Sequence, residues 1–199
     1  MVCGTNEAMR PQSPSKRRAE RRELRPPKPL DSARLNDLAL AYVARFATSA
    51  GKLADYLKRK LRERGWDGEH QPDVAAIVAK FVAAGYIDDT AYARAKSGGL
   101  LRRGYGGRRI DQALSAAGIA DEVREEVRAP LLEQRAAALA LARKRRFGPF
   151  GDNAGDRVLR EKQLAAMLRA GHPLDSARFL VNAASVEAAE DWAVAGDDL

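Results

Sequence analysis

Cysteine is all but absent. The 199-residue chain has one, Cys3, so an intrachain disulfide is excluded. Aromatic residues make up 6% of the chain, and no run alternates β-branched with polar residues, so no candidate strand emerges. No stretch approaches the roughly 18–20 uninterrupted apolar residues that span a bilayer. The first residues carry charge but no apolar core of a secretory signal. These absences lead to the expectation of a cytoplasmic protein with no membrane contact.

Clusters that carry chemistry are also missing. His70 follows a turn and His172 follows a glycine; neither has a cysteine or histidine at metal-ligand spacing, and both read as exposed turn residues. Asp88 and Asp89 are adjacent, and neighbours on a helix point about 100° apart. Capping of free helix-start amides explains that pair better than acid–base chemistry. Gly104-Tyr105-Gly106-Gly107 lacks the order of a phosphate-binding loop and no strand precedes it. The expectation is of no catalytic residue, no cofactor, no metal and no enzyme activity.

What is present is helix-forming. Hydrophobic residues make up 45% of the chain and alanine is abundant, which favours helices that approach closely. The net charge of +8 is unevenly spread: residues 1–29 hold eight basic and three acidic residues, the other 170 hold 27 and 24. Most of the excess therefore sits in a Pro-containing tail, residues 1–30, which is expected to be disordered. The tail reads equally as an electrostatic arm and as a solubilising extension.

Gly65, Gly118 and Gly171 recur at intervals of 53 residues. Each closes a similar phrase: Leu57 and Leu61 before Gly65, Ile110 and Leu114 before Gly118, Leu164 and Leu168 before Gly171. Apolar residues every third or fourth position mark one helix face, and a glycine just beyond ends the helix in the left-handed conformation. Arg45, Arg94 and Arg143, spaced by 49, follow Ala-rich helical phrases upstream. A unit used three times follows. The expected fold is all-α: a tandem array of three three-helix units, elongated and curved, with a disordered N-terminal tail. The units are read as residues 31–85, 86–129 and 130–184, followed by a frayed acidic tail, 185–199.

Within the units, Ser32 and Ser49 are candidate N-caps, Pro72 and Asp73 start a third helix, and Gly85 ends it. Gly98-Gly99 is expected to weaken the helix that contains it. Leu132, Ala136, Leu139 and Ala142 form the expected inner stripe of the third unit's first helix. Phe147 to Asp156 reads as a longer loop.

Basic residues gather at two comparable turns. Arg102, Arg103, Arg108 and Arg109 flank flexible glycines, with Tyr105 between them, and Lys144, Arg145 and Arg146 follow one unit later. In a stacked array equivalent turns share an edge, so a basic ridge is expected that pairs with phosphates or with a partner's carboxylates. A solvated turn is the plainer alternative, since basic residues are common at helix C-termini.

Gly85-Tyr86-Ile87-Asp88-Asp89-Thr90-Ala91-Tyr92-Ala93-Arg94, then Arg103-Gly104, Arg109-Ile110, Leu114 and Gly118-Ile119, resembles the central signature of the RecX regulatory proteins. The resemblance covers residues 32–183 and is strongest at 81–127. It implies tandem three-helix units and a non-enzymatic modulator that binds RecA and RecA–DNA filaments and restrains strand exchange, ATP hydrolysis and co-protease activity. It also leaves room for a contact with single- or double-stranded DNA. The alternative is a general, sequence-independent DNA-binding protein acting through tail and turns.

Overall fold

A computed structural model describes residues 28–151 and 156–195. Most of the expected tail and the end of the acidic segment therefore lie outside the described residues. Among those described there are ten α-helices, one 3-10 turn (Gly148–Phe150), one isolated β-bridge and no strand. We number the helices α1 (Ser32–Val43), α2 (Ala50–Arg64), α3 (Val74–Ala83), α4 (Asp89–Leu101), α5 (Gly107–Ser115), α6 (Asp121–Glu126), α7 (Leu131–Arg145), α8 (Arg157–Arg169), α9 (Leu174–Asn182) and α10 (Val186–Val194).

The buried apolar residues form three separate clusters along the chain. The first joins α1, α2 and α3 through Leu35, Leu53, Leu57, Val78 and Phe81. The second joins α4, α5 and the start of α6 through Ala93, Leu100, Ile110, Leu114 and Ile119. The third is built from α7 to α10 around Leu141, Met167, Leu180 and Ala189. The chain is thus an all-α helical repeat in which no single centre gathers the helices.

Local chemistry sets the helix ends. Asp31, not Ser32, caps α1 by accepting from the Arg34 amide; Ser49, Asp73, Asp88 and Asp156 cap α2, α3, α4 and α8 in the same way. Four helices end in a paired arrangement of backbone bonds around a positive-φ glycine. At Gly118 the Ile119 amide donates to the Leu114 carbonyl and the Gly118 amide to Ser115; Gly171 and His172 do the same to Leu168 and Met167. Gly85 and Gly104 repeat the pattern at the ends of α3 and α4. Arg146 holds the equivalent place after α7, the only described non-glycine residue with positive φ.

Several expectations need correction. Leu30, assigned to the tail, is fully buried in the first cluster. Its amide donates to the Gly65 carbonyl and its carbonyl accepts from the Asp67 amide, making the bridge to Trp66. Ile87, assigned to the second unit, also belongs to the first cluster. Helix α4 is continuous through Gly98 and Gly99, with Ser97 and Leu100 on either side buried; this leaves the expected weakening untouched.

The inner face of α7 is Ala137, Ala138, Leu141 and Ala142; Leu132 and Ala136 are exposed. The acidic segment does not fray over 185–194. Ser185 caps α10, Ala189 and Ala193 are buried, and Trp192 stacks on Phe179 at 5.1 Å. Arg135 lies 5.2 Å over the Trp192 ring and donates to the Ala195 carbonyl, so α7 and α10 are pinned together. The third unit therefore has four helices.

Candidate partner-binding surface

Two of the three glycines at 53-residue spacing, Gly118 and Gly171, lie at the joints between units. Gly118 touches Gly51 at the start of α2: a Cβ added to Gly51 would stand 2.7 Å from the Gly118 Cα. Next to this contact the Ser49 hydroxyl donates to the Ala117 carbonyl at 2.5 Å, and the Ala50 amide donates to the Asp89 carboxylate at 2.9 Å. The second joint repeats the scheme. The Gly106 amide donates to the Ala170 carbonyl and the Arg108 amide to Gly171, while a Cβ on Gly106 would fall 2.4 Å from the Gly171 carbonyl carbon. In both joints the N-cap of one unit's second helix meets the residue just before the next unit's repeat glycine. At the second joint amides at one helix start meet carbonyls at another helix end; at the first, the Ser49 hydroxyl reaches the carbonyl and the Asp89 carboxylate takes the amide.

Asp88 and Asp89 divide this work. Asp88 caps its own helix at the Ala91 amide, 2.8 Å away, and Asp89 caps α2 of the neighbouring unit. His172, read as exposed, is 1% exposed at the second joint, where its Nε2 lies 2.9 Å from the Gly104 carbonyl oxygen. Burial pushes its pKa below the ordinary histidine value, with the Gly104 bond opposing the shift. His70 is exposed, as expected.

Two of the glycines among the basic residues are packed against other elements. Gly104 and Gly106 are buried, Gly104 lies against Leu141, and Gly106 lies against Gly171. Arg102 and Arg103 end α4, but Arg108 and Arg109 stand in the first turn of α5 and not in a loop. Two cations at a helix N-terminus oppose the helix dipole. By contrast Lys144 and Arg145 are in the last turn of α7, where the dipole favours them.

The structure gathers part of the expected ridge and separates the rest. Arg103, Tyr105, Lys144 and Arg145 line one small hollow, with Leu141 and Phe147 at its base. Arg103 sits 6.0 Å over the Tyr105 ring. Arg146 follows directly, held in the left-handed conformation. Arg102 turns back towards Gly98 and Gly99. The Arg109 backbone is pressed against Gly171, and Arg108 lines a different cavity with Arg124 and Arg128. None of the eight expected ridge residues forms an ion pair among the described residues. Other arginines are paired: Arg94 with Glu126 and Arg143 with Glu190, at equivalent places in the second and third units.

Sequence reading missed the joints. Gly51 and Gly106 have no periodic signal, and Ser49 reads only as a cap. The buried His172 could have been suspected, because it follows the repeat glycine that closes the second joint.

A row of small helical bodies joined helix end to helix start is an all-α helical-repeat architecture. The comparisons with known proteins agree. Residues 88–127 match the family model described as RecX, second three-helix domain. The chain is 34% identical over 165 residues to the regulatory protein RecX of Myxococcus xanthus, covering 78% of this chain and 88% of that one. It is also 34% identical over 145 residues to the regulatory protein RecX of Agrobacterium fabrum, covering 70% and 77%. The crystal structure of RecX from Lactobacillus salivarius superimposes with a TM-score of 0.58 at 20% identity over 75% of this chain and 93% of that one, which speaks for the fold alone. The chain belongs to the RecX family of regulatory proteins. No described helix is long and apolar enough to cross a membrane.

Proposed function

We propose that this protein binds RecA and RecA–DNA filaments and restrains strand exchange, ATP hydrolysis and co-protease activity, without chemistry of its own, inside the cytoplasm. Family membership carries this reading. The repeat architecture supports it, because several linked contacts to one polymer raise avidity without any new catalytic group. The contact surface in this reading is the second joint: Arg103, Tyr105, Lys144 and Arg145 around their hollow, flanked by Arg102, Arg108, Arg109 and Arg146.

A second reading is sequence-independent DNA binding by the same cluster. The carrying observation is the Tyr105 ring set among unpaired cations, the combination that tracks a nucleic-acid backbone and stacks bases. One experiment separates the two. RecA-dependent strand exchange and ATPase are measured with the full chain and with Arg103, Lys144 and Arg145 changed to alanine, beside gel shifts on bare DNA at rising salt. The first reading expects inhibition by the parent chain, weakened in the variant, with bare-DNA binding secondary. Inhibition that vanishes whenever bare-DNA binding is salted out, at salt concentrations RecA tolerates, sinks the first reading in favour of the second.

A further inference from the structure

A cavity of about 270 Å³ opens at the second joint, apart from the Arg103–Tyr105 hollow. Its floor is apolar: Leu101 from the end of α4, Ile110 and Leu114 from α5, and Val127 after α6. Its wall is completed by Gly171 and Pro173 from the third unit, so it exists only while the two units are joined. Three arginines line it. Arg124 is only 17% exposed and pairs with Asp111 and Asp121, and its Nε is buried with no acceptor. Arg128 shares an exposed pair with Glu125. Arg108 has no ion pair among the described residues, and as a cation at the α5 N-terminus it is disfavoured by the helix dipole. Folding alone does not account for that placement.

The chemistry selects an occupant. At about 270 Å³ the cavity sits at the low end of the range drug-sized ligands fill, roughly 300–1,000 Å³, and it accommodates a single side chain. The absence of an aromatic wall removes the stacking surface a nucleobase uses. Asp111, Asp121 and Glu125 already pair with Arg124 and Arg128, which leaves Arg108 to hold one negative charge. An apolar floor beneath a free guanidinium fits an aliphatic stem that ends in, or stands next to, one negative charge.

We propose that this cavity is an anchor site for a protein partner, taking one aliphatic side chain whose adjoining carboxylate pairs with Arg108. The partner being RecA rests on the reading above; the pocket does not. The probes are hexanoate and hexylamine, added at matched ionic strength to the full chain and followed by methyl NMR. Hexanoate is expected to shift the Leu101, Ile110, Leu114 and Val127 methyls saturably. Hexylamine, and hexanoate on the Arg108→Glu variant, are expected to bind roughly tenfold more weakly, the scale of one lost charge-assisted bond. Absence of a saturable shift, or equal shifts from the amine, overturns the site whatever the protein does to RecA. In parallel, filament binding by Arg108→Glu is expected to fall by a similar factor. If hexanoate binds selectively while that variant holds filaments unchanged, the anchor role towards RecA is overturned. A parent chain that binds no filaments sinks the functional reading instead, and the hexanoate comparison still decides the pocket.

Discussion

Gly51 and Gly118 meet backbone to backbone, each occupying the space a side chain of the other would need. Gly65, at the same place in the first unit, has open space where a Cβ would stand, although its φ is also positive at 76°. Substitution to alanine should therefore separate two effects. Gly65→Ala should cost about 1–3 kcal/mol from backbone strain alone, because φ 76° with ψ 174° lies in a region essentially restricted to glycine. Gly118→Ala should cost more, because strain is joined by a clash with a backbone that cannot give way. Urea denaturation of both variants is the check; equal midpoints would mean the joint yields without cost.

Asp88→Ala and Asp89→Ala should differ in kind. Loss of Asp88 removes the cap of α4 and should cost about 1 kcal/mol. Loss of Asp89 frees the Ala50 amide of the neighbouring unit. Hydrogen exchange at Ala50 should accelerate in the Asp89 variant and stay slow in the Asp88 variant.

Burial disfavours the charged form of His172, so its folded pKa lies below its unfolded one. The unfolded chain then binds more protons between the folded value and about 6.5. Stability should fall as pH drops through that window and level off below it. Thermal melts from pH 7 to 5 should show this slope, and His172→Gln should flatten it. A slope that persists in the variant would assign the effect to other groups.

Arg146 adopts φ 55° where the other equivalent helix ends use glycine. Arg146→Gly should raise stability by about 0.5–1 kcal/mol, the relief of left-handed strain less the extra freedom of an unfolded glycine. Strained residues persist where something else holds them, so the same variant should bind RecA filaments or DNA less well. A variant that is more stable and binds equally would remove Arg146 from the surface.

Much of this fold was legible because helix ends are written locally. Ser49, Asp73 and Asp88 declare helix starts, and Gly85, Gly118 and Gly171 declare stops, since each acts on amides or carbonyls within a few residues. What sequence could not show is what lies across a joint. Gly51 looks like a poor helix residue until Gly118 is seen against it, and His172 looks like a turn residue until the Gly104 carbonyl is seen beside it. Helix α10 was obscured for a related reason. Its acidic residues face outward, while its inner face is made of alanines and one tryptophan, too little apolar surface to register without Phe179 and Arg135. The basic residues were visible as a group, but their division between a hollow and a separate cavity depends on Arg108 lying inside α5, one turn away from where a loop would put it.

Leu30 has a consequence for anyone who shortens this protein. Its main chain bonds to the first unit at Gly65 and Asp67. Fragments that start after it would leave the Gly65 carbonyl and the Asp67 amide bare and would empty the leucine socket. Such fragments should self-associate, so any trimmed version meant to stay monodisperse must begin no later than Lys28, whose carbonyl accepts from Arg64.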